Sequence, residues 1–557
     1  MKTTSGAIWW INSPKRVSKW AEKKRKQSVG AIFSHDMADL FRNISMHGYS
    51  KLVDNTLNLW QKIIWLTVHM TTMCALFTVL SLIWEQFVAQ YIVINLHNPL
   101  YPIESVPFPS ISICSNSRIS YQAALAHAKR LSAKDPNGRT VDYFMEHLKF
   151  FISLYLKSDQ DVDLDIYSNF QAFLDIYDTY ENETFYNTRR IMQMLAPSCS
   201  NLIRSCMLAG NEIDCFSAKA FQPSLTSYGP CCTFNTGDFY QNRNHRNRFA
   251  SSELGFTVIL NTTHQDYFTP IFPVDGYIVI VHHPAVFPDA ISGEAHELFL
   301  TNSAEAFISL RSLLVFTEPS LRSYSPQTRK CYFNDDFPKY INTGHFHYSL
   351  ANCITRCRML SMLALCRCIP FYMPLELVSD VSDLVVCTIY HAHCLLSYRF
   401  KWNNVLTQRE PIPGLARASQ EALFCPDCLP ACDDIQNEVS LMALPIDRFI
   451  ASSTAGEMQK IGLQAQNMSV LRVYFAQTHA KYYKRMIGNS WYEAVCTIGN
   501  VTSIFLGFSV VAIFEIAYFF VKYMALAIKA GIKQNQRKAK KDTKQGNKED
   551  MQLYICP

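Results

Sequence analysis

The chain has 557 residues, 49% of them apolar and 18% charged, with a formal net charge of +6. That balance excludes a disordered chain, and the length allows a composite fold with membrane segments. No G-x-S-x-G, G-x4-G-K-[ST], H-E-x-x-H or G-x-G-x-x-G motif occurs, so an enzyme is not expected.

Residues 1–59 form a basic leader with ten Lys or Arg against four Asp or Glu. A first apolar run follows, IIWLTVHMTTMCALFTVLSLIW from Ile63 to Trp84, within a span set at residues 60–84. It reaches the roughly 20 residues a membrane-crossing helix needs. A second candidate span covers residues 491–524, and the tail, 525–557, again carries eight basic against three acidic residues. Positive flanks at both ends place both termini in the cytosol and the loop between the spans outside. For the lysine-rich tail two readings stand, a solvated disordered segment or a contact with anionic lipid, and the solvated one is preferred.

Residues 85–490 read as one external domain of mixed α and β structure. FTVILN at 256–261 and GYIVIVHH at 276–283 predict strands, because β-branched runs of that length suit a buried sheet. The stretches 118–200 and 345–450 predict mostly helix, from apolar spacing such as that in NCITRCRMLSMLALC. Sixteen of the 19 cysteines lie between the spans: Cys114, Cys199, Cys206, Cys215, Cys231, Cys232, Cys331, Cys353, Cys357, Cys366, Cys368, Cys387, Cys394, Cys425, Cys428 and Cys432. An even count on an oxidising side predicts disulfides throughout, with the connectivity open. The rival is zinc at Cys425-x2-Cys428-x3-Cys432 and Cys366-x-Cys368, but no histidine pair follows at ligand spacing, and no metal site is expected. Sequons at Asn182, Asn261 and Asn467 predict glycosylation, whereas those at Asn43 and Asn500 should stay bare.

The second span holds polar groups that an inert anchor does not need. On a helix, Cys496, Gly499, Asn500, Ser503 and Gly507 share an arc of roughly 100°. Small-x3-small spacing is one explanation, since it lets helices pack closely. Ser509 favours another. It falls on the opposite side from Gly507 unless the backbone leaves the helix there, which glycine permits and a water-lined path tolerates. Carbonyls freed in that way can replace an ion's hydration shell.

At these residues the sequence resembles the degenerin and epithelial sodium channel family. Cys496, TIGNVT, SIFLGFS and Glu515 are similar to its second-span pattern, and His47-Gly48 resembles its gating pair. FPSISIC at 108–114, GPCCTFN at 229–235, GYIVIVHHPAVFP at 276–288 and the Arg329-Lys330-Cys331 stretch are similar to family patterns. Tyr348-x4-Cys353-x3-Cys357-x8-Cys366-x-Cys368, followed by YMP and later CPDCLPAC, looks most like the insect pickpocket branch. The sequence departs from the pattern at Thr497, Asn500, Ser503 and Phe508.

The resemblance implies an α+β membrane protein, two transmembrane helices flanking a hand-like disulfide-rich ectodomain. It further implies a homo- or heterotrimer with related subunits in the plasma membrane, conducting Na+ with no cofactor and no nucleic-acid partner. Gly507, Phe508 and Ser509 are the implied selectivity filter, Ser503 the blocker position, Cys496 the degenerin position, Gly499 and Asn500 pore-lining, and Glu515 an acid below the constriction. The alternatives are a non-conducting two-span receptor or adhesion subunit, and an ATP-gated type of trimeric channel.

Overall fold

The computed structural model describes residues 38–89, 92–155, 163–180, 186–216, 220–236, 250–262, 264–336, 347–379, 384–407, 420–447, 468–488 and 491–549. The chain divides into two units, Met1–Val93 with Ile487–Pro557, and Ile94–Met486.

In the first unit a 31-residue helix, Leu59–Ala89, spans about 46 Å at 1.5 Å per residue, more than the ~30 Å hydrocarbon thickness of a bilayer. Its hydroxyls are satisfied within the helix: Thr67 donates to the Ile63 carbonyl at 2.9 Å and Thr78 to that of Cys74 at 2.9 Å. The second apolar stretch is two helices, Trp491–Leu506 and Val510–Glu549, separated by three non-helical residues. The lower helix has 40 residues and runs on through the lysine-rich segment, contrary to the disordered tail expected there. Ala, Lys and Gln are good helix formers, and extending an existing helix avoids the cost of nucleation.

The second unit is built on two sheets. The larger joins Ile92–Pro102 (β1), Ile203–Leu208 (β3), Asn211–Ile213 (β4), Phe256–Asn261 (β7), Ala304–Thr317 (β10), Asp434–Pro445 (β13), Met468–Phe475 (β14) and His479–Ile487 (β15). The smaller has the order β5-β6-β2-β8-β9, from Phe221–Thr226, Gly229–Phe234, Ser110–Ser115, Gly276–His282 and Ala295–Thr301. A two-residue pairing of Val405–Leu406 (β11) with Leu423–Phe424 (β12) stands apart. β10 shows why the large sheet forms: Ala304, Ala306, Ile308, Leu310 and Leu314 alternate with less buried residues and face one core. That core also takes Val279 and Val281 from β8, while Ile278 and Ile280 face a different cluster with Cys114, Cys231 and Tyr228. Burial on both faces is why GYIVIVH reads as an unbroken apolar run.

Helices Tyr121–Lys134, Val141–Leu148, Leu164–Tyr177, Thr188–Leu195 and Leu350–Cys366 pack in a second core. Within it Asp289 and Arg358 form a buried ion pair, each side chain 2% exposed or less. The helical expectation fails for Asp434–Pro445, which is a strand antiparallel to β10 with Val439 opposite Leu310. Its preceding residue pair is fixed by the Cys331–Cys432 bridge, which delivers DIQNEVSL to the sheet edge where its alternating pattern fits.

All sixteen cysteines of this unit are paired. Adjacent Cys231 and Cys232 on one strand point to opposite faces, and bridge Cys114 and Cys199 respectively. Cys206 bridges Cys215. The other five pairs are nested: Cys331–Cys432, Cys353–Cys428, Cys357–Cys425, Cys366–Cys394 and Cys368–Cys387. The zinc alternative has no thiolate left to use, because every cysteine it named is in a disulfide.

Candidate functional site

Helical hydrogen bonding in the upper half of the second stretch ends where the Gly507 N–H donates to the Ser503 carbonyl at 2.8 Å. Gly507 then takes a φ of +67°, a left-handed conformation that costs L side chains about 1–2 kcal/mol. The helix restarts because Ser509 caps it, its hydroxyl accepting the Ala512 N–H at 3.2 Å. The chain thus leaves helical geometry at Gly507, Phe508 and Ser509.

The freed Leu506 carbonyl accepts the N–H of His47 at 3.0 Å. His47 closes over the break, and a Cβ added to Gly507 would stand 2.6 Å from its Nδ1. The next residue, Gly48, is also left-handed at φ +75°, and a Cβ there would come within 3.2 Å of the His69 ring on the first span. Two further ties hold this segment: Ser45 N–H donates to Glu515 Oε2 at 2.9 Å, and Lys522 lies 3.4 Å from Asp39. The structure therefore brings His47, Gly48, Gly507 and Glu515 together, and makes Glu515 an acceptor for the leader segment.

Cys496, Gly499, Asn500, Ser503 and Ser509 are exposed on the chain, Gly507 and Phe508 half-buried. Thr502 on the same helix donates to the Ile498 carbonyl at 2.8 Å and so needs no solvent. Among the described residues, the Asn500 and Ser503 side chains have no such internal bond. Polar groups at membrane depth that lack internal partners require water or another chain.

Of the glycosylation candidates, Asn261 ends β7 with its side chain donating to the Asn201 carbonyl at 3.2 Å. Asn182 and Asn467 lie outside the described residues. Ser45 and His69 were not singled out from sequence. A lone imidazole in an apolar run is a signal that would have found His69, whereas Ser45 contributes only a backbone N–H, which any residue has.

The second unit holds a cavity of about 520 Å³ whose walls include His283, Glu294, His296, His347, Asp433, Asp434 and Glu438. Burial, reinforced by Asp434, pushes the Glu294 carboxyl up to about 7. Burial likewise raises Asp434 and lowers His282 and His283 to about 4. Burial keeps His282 neutral even though its ring bonds the His283 carbonyl at 3.0 Å, a contact that favours the protonated form; the other ring nitrogen lies 3.0 Å from Ser112 Oγ.

The sequence profile of the amiloride-sensitive sodium channel family matches residues 40–519, from the leader through the break and past Glu515. The chain belongs to this family. It is 21% identical over 487 residues to the sodium channel protein Nach of Drosophila ananassae, covering 86% of each chain. It is 22% identical over 526 residues to pickpocket protein 19 of Drosophila melanogaster, covering 90% of this chain and 93% of that one. Similarity extends to the bile acid-sensitive ion channel of Mus musculus, 22% over 515 residues and 87% of each chain. Membership makes the chain an ion channel protein of the insect pickpocket-like branch rather than an enzyme, with two apolar helices near its ends and a disulfide-rich body between the spans.

Proposed function

We propose that the chain is a pore-forming subunit of a trimeric, sodium-preferring and amiloride-sensitive cation channel of the plasma membrane, serving a sensory role. The observation that carries this reading is the break at Gly507–Ser509, because non-helical backbone at membrane depth is tolerated where it lines a water-filled path. Three copies of that link would ring an axis with backbone carbonyls and the Ser509 hydroxyl, the arrangement by which channels replace hydration shells. The exposed stripe of Cys496, Gly499, Asn500 and Ser503 continues the path outward, with Ser503 at the blocker position. Both termini lie in the cytosol on this reading, where the basic flanks belong. Asn182, Asn261 and Asn467 then lie outside as glycosylation sites.

Cys496 supplies the test. A thiol-reactive cation applied from outside to a conducting subunit set should change the current several-fold in wild type and leave a Cys496→Ala channel unaffected. Cys74, the other free cysteine among the described residues, is controlled by Cys74→Ala. Confirmed chemical modification of Cys496 without any change in current would place it in a helix interface and favour the non-conducting receptor reading.

A further inference from the structure

His69 is the one imidazole on the first span, and neither the family motifs nor the filter reading gives it a task. Its neighbours are satisfied, Thr71 donating to the Val68 carbonyl at 2.8 Å and Thr72 to that of His69 at 2.9 Å. The His69 ring is not: Nε2 is buried and has no hydrogen-bond partner among the described residues. A phenylalanine would fill the same space without desolvating a polar atom, so the imidazole carries a cost that packing alone does not explain.

The ring faces the leader segment. Its Cε1 and Nε2 would both stand 3.2 Å from a Cβ on Gly48, the Tyr49 ring lies 4.7 Å away, and Trp65 one turn back lies at 6.4 Å. Phe41 stacks on Tyr49 with ring centroids 5.7 Å apart. The same segment presents His47 to Gly507, so a continuous stack runs from the first span through residues 49, 48 and 47 to the break in the second.

We infer that His69 is a positioning residue that seats the 47–49 segment against the break, and that its protonation unseats the segment and lowers the current. This rests on the channel reading above. The neutral ring offers a flat face beneath a residue with no side chain, whereas an imidazolium carries a full charge and an N–H on both nitrogens, with no acceptor at Nε2. The ionisable groups on the elements around the seat are Asp39, Arg42, His47, Tyr49, Lys51 and Asp54 on the leader, Lys62 on the first span, and Glu515 and Lys522 on the second. Each carboxylate among them is engaged elsewhere: Asp39 with Lys522, Asp54 with Thr56, Glu515 with the Ser45 N–H. None is bonded to His69. Once the seat is lost, the His47 N–H leaves the Leu506 carbonyl, and the non-helical link loses its backing.

The test uses the full chain in a conducting subunit set, in excised patches, with pH varied on the face that carries the termini. Wild-type current should fall by roughly threefold or more when that face is acidified. His69→Phe keeps a ring in the seat and should conduct with a flat pH response, while His69→Ala should lose current at every pH with surface delivery unchanged. A His69→Phe channel as pH-sensitive as wild type, or a His69→Ala channel that gates normally, overturns the inference. A second readout needs no current: a Tyr49→Cys, His69→Cys double variant should be bridged in membranes by a short bifunctional thiol reagent that spans the space of the two lost rings, mapped by mass. No cross-link overturns the seat itself, whereas a cross-link in a chain that fails to conduct with any related subunit overturns the channel reading and with it the effect on current.

Discussion

Gly507 and Glu294 show single residues set against their ordinary chemistry. At Gly507 both the positive φ and the His47 ring exclude a side chain, so alanine there would incur backbone strain and displace the imidazole together. Glu294 instead has a carboxyl raised from 4.5 to about 7. A carboxyl raised by folding binds its proton more tightly in the folded chain, so its contribution is complete below about 4.5 and is lost as pH rises through about 7. His282 and His283, lowered to about 4, act in the opposite sense: their contribution is present above 6.5 and is lost as pH falls toward 4. Between pH 6.5 and 8, Glu294 is therefore the titrating group of the three. Thermal unfolding of the full chain in detergent should show a wild-type midpoint that falls over that interval, a loss on the order of 1 kcal/mol at most. Glu294→Gln, which mimics the protonated acid, should remove the slope; an unchanged slope would show that Glu294 titrates normally.

The five nested disulfides belong to the scale of elements, since Cys353 and Cys357 lie one turn apart on a helix and meet Cys428 and Cys425 in reverse order. In the loop-entropy account a bridge closing 68 residues is worth about 4–5 kcal/mol, but Cys353–Cys428 already holds the outer ends together. Removing Cys357 and Cys425 together should thus cost only about 2–3 kcal/mol, the value for a ring of a few residues. Removing Cys199 and Cys232, which no enclosing bridge backs, should cost about 3–4 kcal/mol and reduce surface delivery more. Equal surface yields for the two double variants would contradict this ordering. The sequence made the cysteine count legible but not the ladder, because pairing depends on which strands and helices meet. It likewise showed the runs at β7 and β8, whose apolar character is continuous, and missed β13, whose charged and apolar alternation was overridden by the helical pattern just before it. Ser509 and Gly507 were legible as a break because their polarity conflicts with an anchor. The leader's place against that break was not, since its decisive groups are backbone N–H donors at Ser45 and His47 that leave no mark on composition.

At the scale of the whole molecule, the family match from residue 40 to 519 joins the leader, the cysteine-rich unit and the broken span in one functional chain. Within the unit that holds both spans, the break is tied to the leader through Leu506, Gly507 and Glu515, so that under the proposed function ion choice and control meet over a few residues. The central claim is that the Gly507–Ser509 link selects ions. The measurement that bears on it most directly is the reversal potential, with external sodium exchanged for potassium, in a conducting subunit set carrying Ser509→Ala, Ser509→Val or Gly507→Ala at unchanged surface delivery. The account predicts a shifted sodium-to-potassium permeability ratio, or loss of current, graded with the bulk placed at the link. Reversal potentials identical to wild type for all three variants would contradict it, and would make the small residues of this span a helix-packing feature.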